Sequence, residues 1–189
     1  MFLITGSGRS GSTYITRVLQ NCGLDVGHHK MGKDGTVCGY YCFDAKGYPV
    51  KSHPVPRPHF ETILHQVRDP LKSIASIQTG RSWKWTCQFL PVSEDAPILT
   101  RACYNWLIFN EEAERQALWT YKIEKLEKVW LDLQRVLIFD TSYEVATKYI
   151  PRNTNTRKHK KIKWQDVKDA APEIYADIKA AAIRYGYRA

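Results

Sequence analysis

Residues Gly6-Ser7-Gly8-Arg9-Ser10-Gly11-Ser12-Thr13 combine three glycines, four hydroxyls and one guanidinium within eight positions. That mixture suits the binding of a phosphate or sulfate group. Glycines let the backbone fold closely around an anion, the start of a following helix offers N–H groups and a positive dipole end, and Arg9 adds a fixed charge. Phe2-Leu3-Ile4-Thr5 ahead of the loop reads as a buried strand, and Ser12–Cys22 behind it as a helix, with Ile15, Val18, Leu19 and Cys22 along one face.

Two familiar phosphate loops can be tested against these residues. Gly6, Gly11 and Thr13 satisfy the spacing of a Walker A loop, but Ser12 stands where its lysine is required, which disfavours an ordinary ATPase or GTPase. Gly6, Gly8 and Gly11 also satisfy the dinucleotide pattern Gly-x-Gly-x-x-Gly. That reading needs an acidic residue at the end of the second strand, near Leu24–Val26, where the chain instead runs Gly27-His28-His29-Lys30.

Gly8-Arg9-Ser10-Gly11-Ser12-Thr13-Tyr14 resembles the 5′-phosphosulfate loop of sulfotransferases that use 3′-phosphoadenosine 5′-phosphosulfate (PAPS), notably the small bacterial and phage-type members, with Gly8 in place of a proline and Ser12 in place of a threonine. The second signature of that family, an arginine followed by an acidic residue or asparagine, proline, and a serine eight positions after the arginine, is matched by Arg68-Asp69-Pro70 and Ser76. The resemblance implies that Gly8, Arg9, Ser10, Gly11, Ser12 and Thr13 surround the 5′-phosphosulfate and that Arg68 and Ser76 hold the 3′-phosphate. Arg9 then carries catalytic charge stabilisation. It also implies a P-loop-like fold, PAPS as donor, adenosine 3′,5′-bisphosphate (PAP) as product, and no metal. Arg157 and Lys158, followed by Trp164, resemble the family's late donor-closing loop, with His159 where that loop has glycine.

Several branches of the family carry a glutamate just after the second strand, where this chain has Gly27-His28-His29. A neutral imidazole can accept a hydroxyl proton near neutral pH, so His29 is the preferred base, His28 the second choice and Asp34 the fallback carboxylate. Trp83 and Trp85 are the aromatic candidates for an acceptor pocket, whereas Trp106, on a helix with Ala102 and Phe109, reads as core. Glu124 resembles part of a structural family segment.

The remaining elements must place these groups at one edge. Thr62–Val67 reads as a central strand, Pro70–Gln78 as a helix with proline in its first turn, Ile98–Ala117 as a longer helix and Leu118–Ile123 as another strand. Lys125–Gln134 and Asp166–Tyr185 read as helical, the latter split near Pro172. The segment 28–59 reads as irregular and long enough to help form an acceptor site. Strands alternating with helices predict an α/β fold: a mostly parallel sheet flanked by helices, with ligands at the carboxyl ends of the strands.

The 189 residues suit one domain spanning 1–189, and 43% hydrophobic residues suffice for a core. Twenty-eight Lys and Arg against 19 Asp and Glu give a net charge of +9, which favours an anionic ligand. Five cysteines without a second metal-spaced pair read as reduced thiols, and no apolar run approaches membrane length, so a cytoplasmic protein is expected. The function expected is sulfuryl transfer from PAPS to a hydroxyl of a small molecule or glycan. Two alternatives are a divergent P-loop nucleotide kinase, with Asp69 the one suggestive metal-binding carboxylate, and a non-catalytic nucleic-acid-binding protein using the basic stretch 152–163. Nucleic acid is the less expected partner.

Overall fold

The computed structural model describes residues 1–49, 56–80, 83–151, 154 and 158–189. Five strands form one parallel sheet: β1 (Phe2–Thr5), β2 (Val26–His28), β3 (Gly35–Val37), β4 (Thr62–Val67) and β5 (Trp119–Lys122), in the order β2-β3-β1-β4-β5. The sheet is flanked by helices, so the expected α/β class with a parallel sheet is what the chain forms. Leu3 pairs in register with Thr36 on one side and Ile63 on the other, which makes β1 the centre of the sheet.

Alternation along the central strands sorts the helices between two faces. Phe2, Ile4, Leu64 and Tyr121 point to the face covered by α1 (Ser12–Asn21) and α5 (Trp130–Leu137), where Ile15, Val18, Leu19, Trp130 and Leu133 complete a buried cluster. The other face meets α4 (Ile98–Gln116), whose stripe Ala102, Cys103, Trp106, Phe109, Asn110 and Ala113 repeats at helical spacing and is buried throughout. Around it pack α2 (Pro70–Ile77), α7 (Trp164–Ala170) and α8 (Tyr175–Arg184), with Val67 of the sheet. Two short helices, α3 (Trp83–Thr86) and α6 (Tyr143–Thr147), complete the set among the described residues.

The chain leaves β1 toward β2 at one edge and leaves β4 toward β5 at the other. Parallel crossovers of one handedness then send the two connections to opposite faces, and a crevice opens between the carboxyl ends of β1 and β4. The glycine-rich loop follows β1, and Arg68 and Asp69 follow β4.

Three expectations need correction. The second strand begins at Val26 rather than Leu24, because Gly23, at φ +86°, closes α1 and Leu24 donates its N–H back to Leu19 O at 3.3 Å. The stretch read as irregular contains β3, only three residues long and too short to display a period. The helix expected over Lys125–Gln134 is a tight 3₁₀ segment, Ile123–Val129, followed by α5. Among the described residues, no helix is long and apolar enough to cross a membrane.

Candidate functional site

The loop after β1 is held from four directions. A Cβ at Gly6, which sits at φ +148°, would meet Gln66 O at 2.4 Å, so this position accepts only glycine. The Ser7 N–H donates to Asn110 Oδ1 at 2.9 Å, from α4. Gln66 of β4 donates Nε2–H to Ser10 O at 3.0 Å, and the Tyr121 hydroxyl of β5 donates to Gln66 Oε1 at 2.7 Å. Arg68 donates Nη1–H to Arg9 O at 3.1 Å, while Arg9 donates Nε–H to Ser76 Oγ at 3.0 Å. The two sequence constellations are thus joined by direct hydrogen bonds.

Arg9 adopts φ +67°, a left-handed conformation that costs a non-glycine residue about 1–2 kcal/mol. Its backbone is held there by the bonds on either side. Gly11, at φ +97°, precedes the first turn of α1, and no side chain caps that helix. The dipole end therefore faces the loop interior instead of an internal carboxylate. Asp69 takes the opposite role at α2, where its Oδ1 accepts the Lys72 N–H at 2.9 Å.

Two openings flank the loop. One is a cavity of about 320 Å³ whose wall includes Gly6–Ser10, Ser12, His28, His29, Tyr40, Trp83, Asn105 and Phe109. The other, of about 360 Å³, is walled by Arg9, Gly11–Tyr14, Arg68, Lys72, Ser76, Glu124, Glu127, Thr154 and His159. Arg9 and Ser12 belong to both walls. The second opening gathers three cationic side chains, Arg9, Arg68 and Lys72, beside the uncapped helix start, against two carboxylates, Glu124 and Glu127, so the excess of positive charge lies on the side of the loop and Arg68. The first mixes the apolar side chains of Ile4, Val37, Tyr40, Ile77, Trp83 and Phe109 with the glycine-rich loop and polar residues.

The two histidines stand where the openings meet. His28 Nε2 lies 2.9 Å from Ser12 Oγ and 3.4 Å from Thr13 Oγ1. Burial, with the Arg9 charge as a second cause, holds its pKa down at about 4, so it is a neutral ring at physiological pH. His29 packs edge-on against His28 at 4.1 Å between ring centroids and has Nδ1 3.3 Å from Cys38 Sγ. Burial pushes the Cys38 thiol up to about 12 and keeps it protonated. Like Arg9, His29 has a left-handed backbone, at φ +52°. Strained non-glycine residues collect at sites that need a fixed side-chain direction.

Gly8, Arg9, Ser10, Gly11, Ser12, Thr13, Arg68, Ser76, His28 and His29 therefore converge on one region. Asp34 does not: it precedes β3 at the opposite edge of the sheet, where its Oδ2 accepts the Asp25 N–H at 2.7 Å. That removes it as a fallback base. Arg157 lies outside the described residues, as do residues 152, 153, 155 and 156 of the basic stretch, and Lys158 is exposed and is not part of either wall. Thr154 and His159 do reach the second opening. Trp83 lines the first cavity, whereas Trp85 packs behind it on Tyr40 and Phe89 and donates its indole N–H to Gly47 O. Trp106 is fully buried.

Sequence reasoning missed the supports Gln66 and Asn110 and the cavity residue Asn105, whereas Glu124 was expected to be structural. A signal existed for Gln66: with His65 it is polar between the apolar residues Ile63, Leu64 and Val67. Glu124 accepts the Asp69 N–H at 2.8 Å and the Tyr187 hydroxyl at 2.9 Å, tying the turn after β4 to the C-terminal residues. No protein-family model, curated protein or solved structure matches the chain.

Proposed function

We propose that the protein is a sulfotransferase, moving a sulfuryl group from PAPS to an acceptor hydroxyl and releasing adenosine 3′,5′-bisphosphate. The observation that carries this reading is the pair of openings sharing Arg9 and Ser12, one with an excess of positive charge and the other mixed in character with two histidines. A donor with anionic groups at both ends of its ribose fits the first kind of wall, with Arg68 and Ser76 on one phosphate and the loop on the other. An acceptor fits the second. Asp69 is engaged as the cap of α2, which weakens the kinase reading that relied on it.

In the reaction the acceptor oxygen attacks sulfur, the bond from sulfur to the bridging phosphate oxygen breaks, and the acceptor proton passes to a base. Arg9 and the loop amides stabilise charge on the sulfuryl oxygens and the leaving phosphate. His28, with its depressed pKa, is a weak proton acceptor and orients Ser12. His29 is the base in this reading: the tautomer with Nδ1–H toward Cys38 Sγ carries its lone pair on Nε2.

The test is ligand stabilisation followed by transfer. Adenosine 3′,5′-bisphosphate at ~100 times its Kd contributes about 2.7 kcal/mol, which raises Tm by roughly 5–10 °C for a chain of this size. Labelled sulfate from PAPS should then appear on an acceptor alcohol or phenol. Stabilisation by ATP or NAD with none by the bisphosphate would overturn the reading.

A further inference from the structure

The turn that ends α8 delivers a tyrosine to the wall of the second opening. Gly186 adopts φ +77°, the Tyr187 N–H donates to Ala182 O at 2.9 Å and the Gly186 N–H to Ile183 O at 2.8 Å, the paired bonds of a Schellman motif. Lys122 of β5 fixes the turn. It donates Nζ–H to Gly186 O at 2.7 Å, with its ammonium 4.8 Å from the centre of the Tyr187 ring. Tyr187, half-buried, is thereby brought against Glu124.

Glu124 shares its wall with Arg68 and Lys72, where a carboxylate is electrostatically out of place. A free carboxylate there pairs with either cation and competes with an anionic ligand. Both of its oxygens are engaged elsewhere: Oε1 accepts the Asp69 N–H at 2.8 Å and Oε2 the Tyr187 hydroxyl at 2.9 Å. Among the described residues, no ion pair joins Glu124 to Arg68 or Lys72. Burial, with the Glu124 charge as a second cause, holds the Tyr187 phenol above its usual range, so it remains a donor at neutral pH. Asp69 in turn caps α2, the helix that carries Lys72 and Ser76.

We propose that Tyr187 is a positioning residue for anion binding: its hydroxyl holds the Glu124 carboxylate on the Asp69 N–H and away from Arg68 and Lys72, leaving both cations to the ligand. This rests on the second opening being the nucleotide site of the sulfotransferase reading.

Calorimetric titration with adenosine 3′,5′-bisphosphate tests it in a double-mutant cycle. Tyr187→Phe keeps the ring against Lys122 and frees Oε2, so Kd should rise about fivefold. Glu124→Gln removes the charge and retains an acceptor for the Asp69 N–H. In that background Tyr187→Phe should change Kd by less than about twofold, because no carboxylate remains to turn on the cations. A role confined to packing gives the same effect in both backgrounds. Tyr104→Phe is the matched control: its hydroxyl also donates to a carboxylate, Glu173 Oε1 at 2.6 Å, and neither residue lines either opening. Its Kd should match wild type, whatever the change in Tm. Glu124→Ala takes the place of Glu124→Gln should that variant fail to fold.

An equal effect of Tyr187→Phe in both backgrounds, or no effect in the wild-type background, overturns the inference. If the bisphosphate does not bind the wild-type chain, the cycle is run with inorganic pyrophosphate. A Tyr187→Phe effect that Glu124→Gln abolishes then sustains the inference while the sulfotransferase reading falls. Binding of neither probe at millimolar concentration overturns both.

Discussion

Arg9 combines two properties that substitution can separate, a charge shared by both openings and a left-handed backbone. Arg9→Gly should relieve the conformational cost, leaving Tm equal or higher, while turnover falls on the order of 10²–10³-fold from loss of a preorganised cation. Wild-type turnover in this variant would remove Arg9 from the chemistry. For the histidines, His29→Ala should abolish most transfer with bisphosphate binding intact. His28→Ala should instead weaken bisphosphate binding as well, because its ring holds Ser12 and Thr13 at the start of α1. Calorimetric titration of both variants alongside turnover separates a proton acceptor from a positioning ring.

At the scale of elements, the loop is positioned by polar groups that reach it through the sheet. The Thr120 hydroxyl of β5 pairs with His65 Nδ1, His65 Nε2 faces Asn110 Oδ1, and the same oxygen receives the Ser7 N–H. Asn110→Leu would leave that buried N–H unpaired, at a cost of about 1–3 kcal/mol. Denaturant unfolding should register the loss, and bisphosphate affinity should fall with it. If stability drops with no change in affinity, the tether does not set the loop's shape. The long elements were legible beforehand because β1, β4, α1 and α4 have a clear apolar run or a helical repeat. So was the loop, whose residue types are chemically distinctive. β3 was not, since three residues hold no period and its requirement for Gly35 is set by Phe2 O, 2.3 Å from where a Cβ would lie. Nor were Asn105 and Asn110 legible as site residues: both lie on a helix read from its apolar repeat, and only tertiary packing turns them toward the loop and the cavity.

For the whole molecule, one fully buried histidine, His65, and one half-buried, His28, set the acid limit of stability. His28 and His65 are both held down at about 4, chiefly by burial. The unfolded chain takes up protons near 6.5 while the folded chain resists until about 4, so stability is complete above pH 6.5 and declines as pH falls through that window. Tm measured from pH 7 to 4 should drop, and His65→Gln should flatten the slope. A flat wild-type profile would refute the assignment. The shared wall between the two openings has a different consequence. Because Arg9 lines both, an anion in one changes the potential in the other, and the proposed nucleotide and acceptor would be thermodynamically linked. Whatever factor the nucleotide imposes on the acceptor's affinity, the acceptor must impose on the nucleotide's. Calorimetric titrations in both orders should return one coupling constant, and a measurable value would make the protein a two-ligand device whose occupancy of either chamber reports on the other.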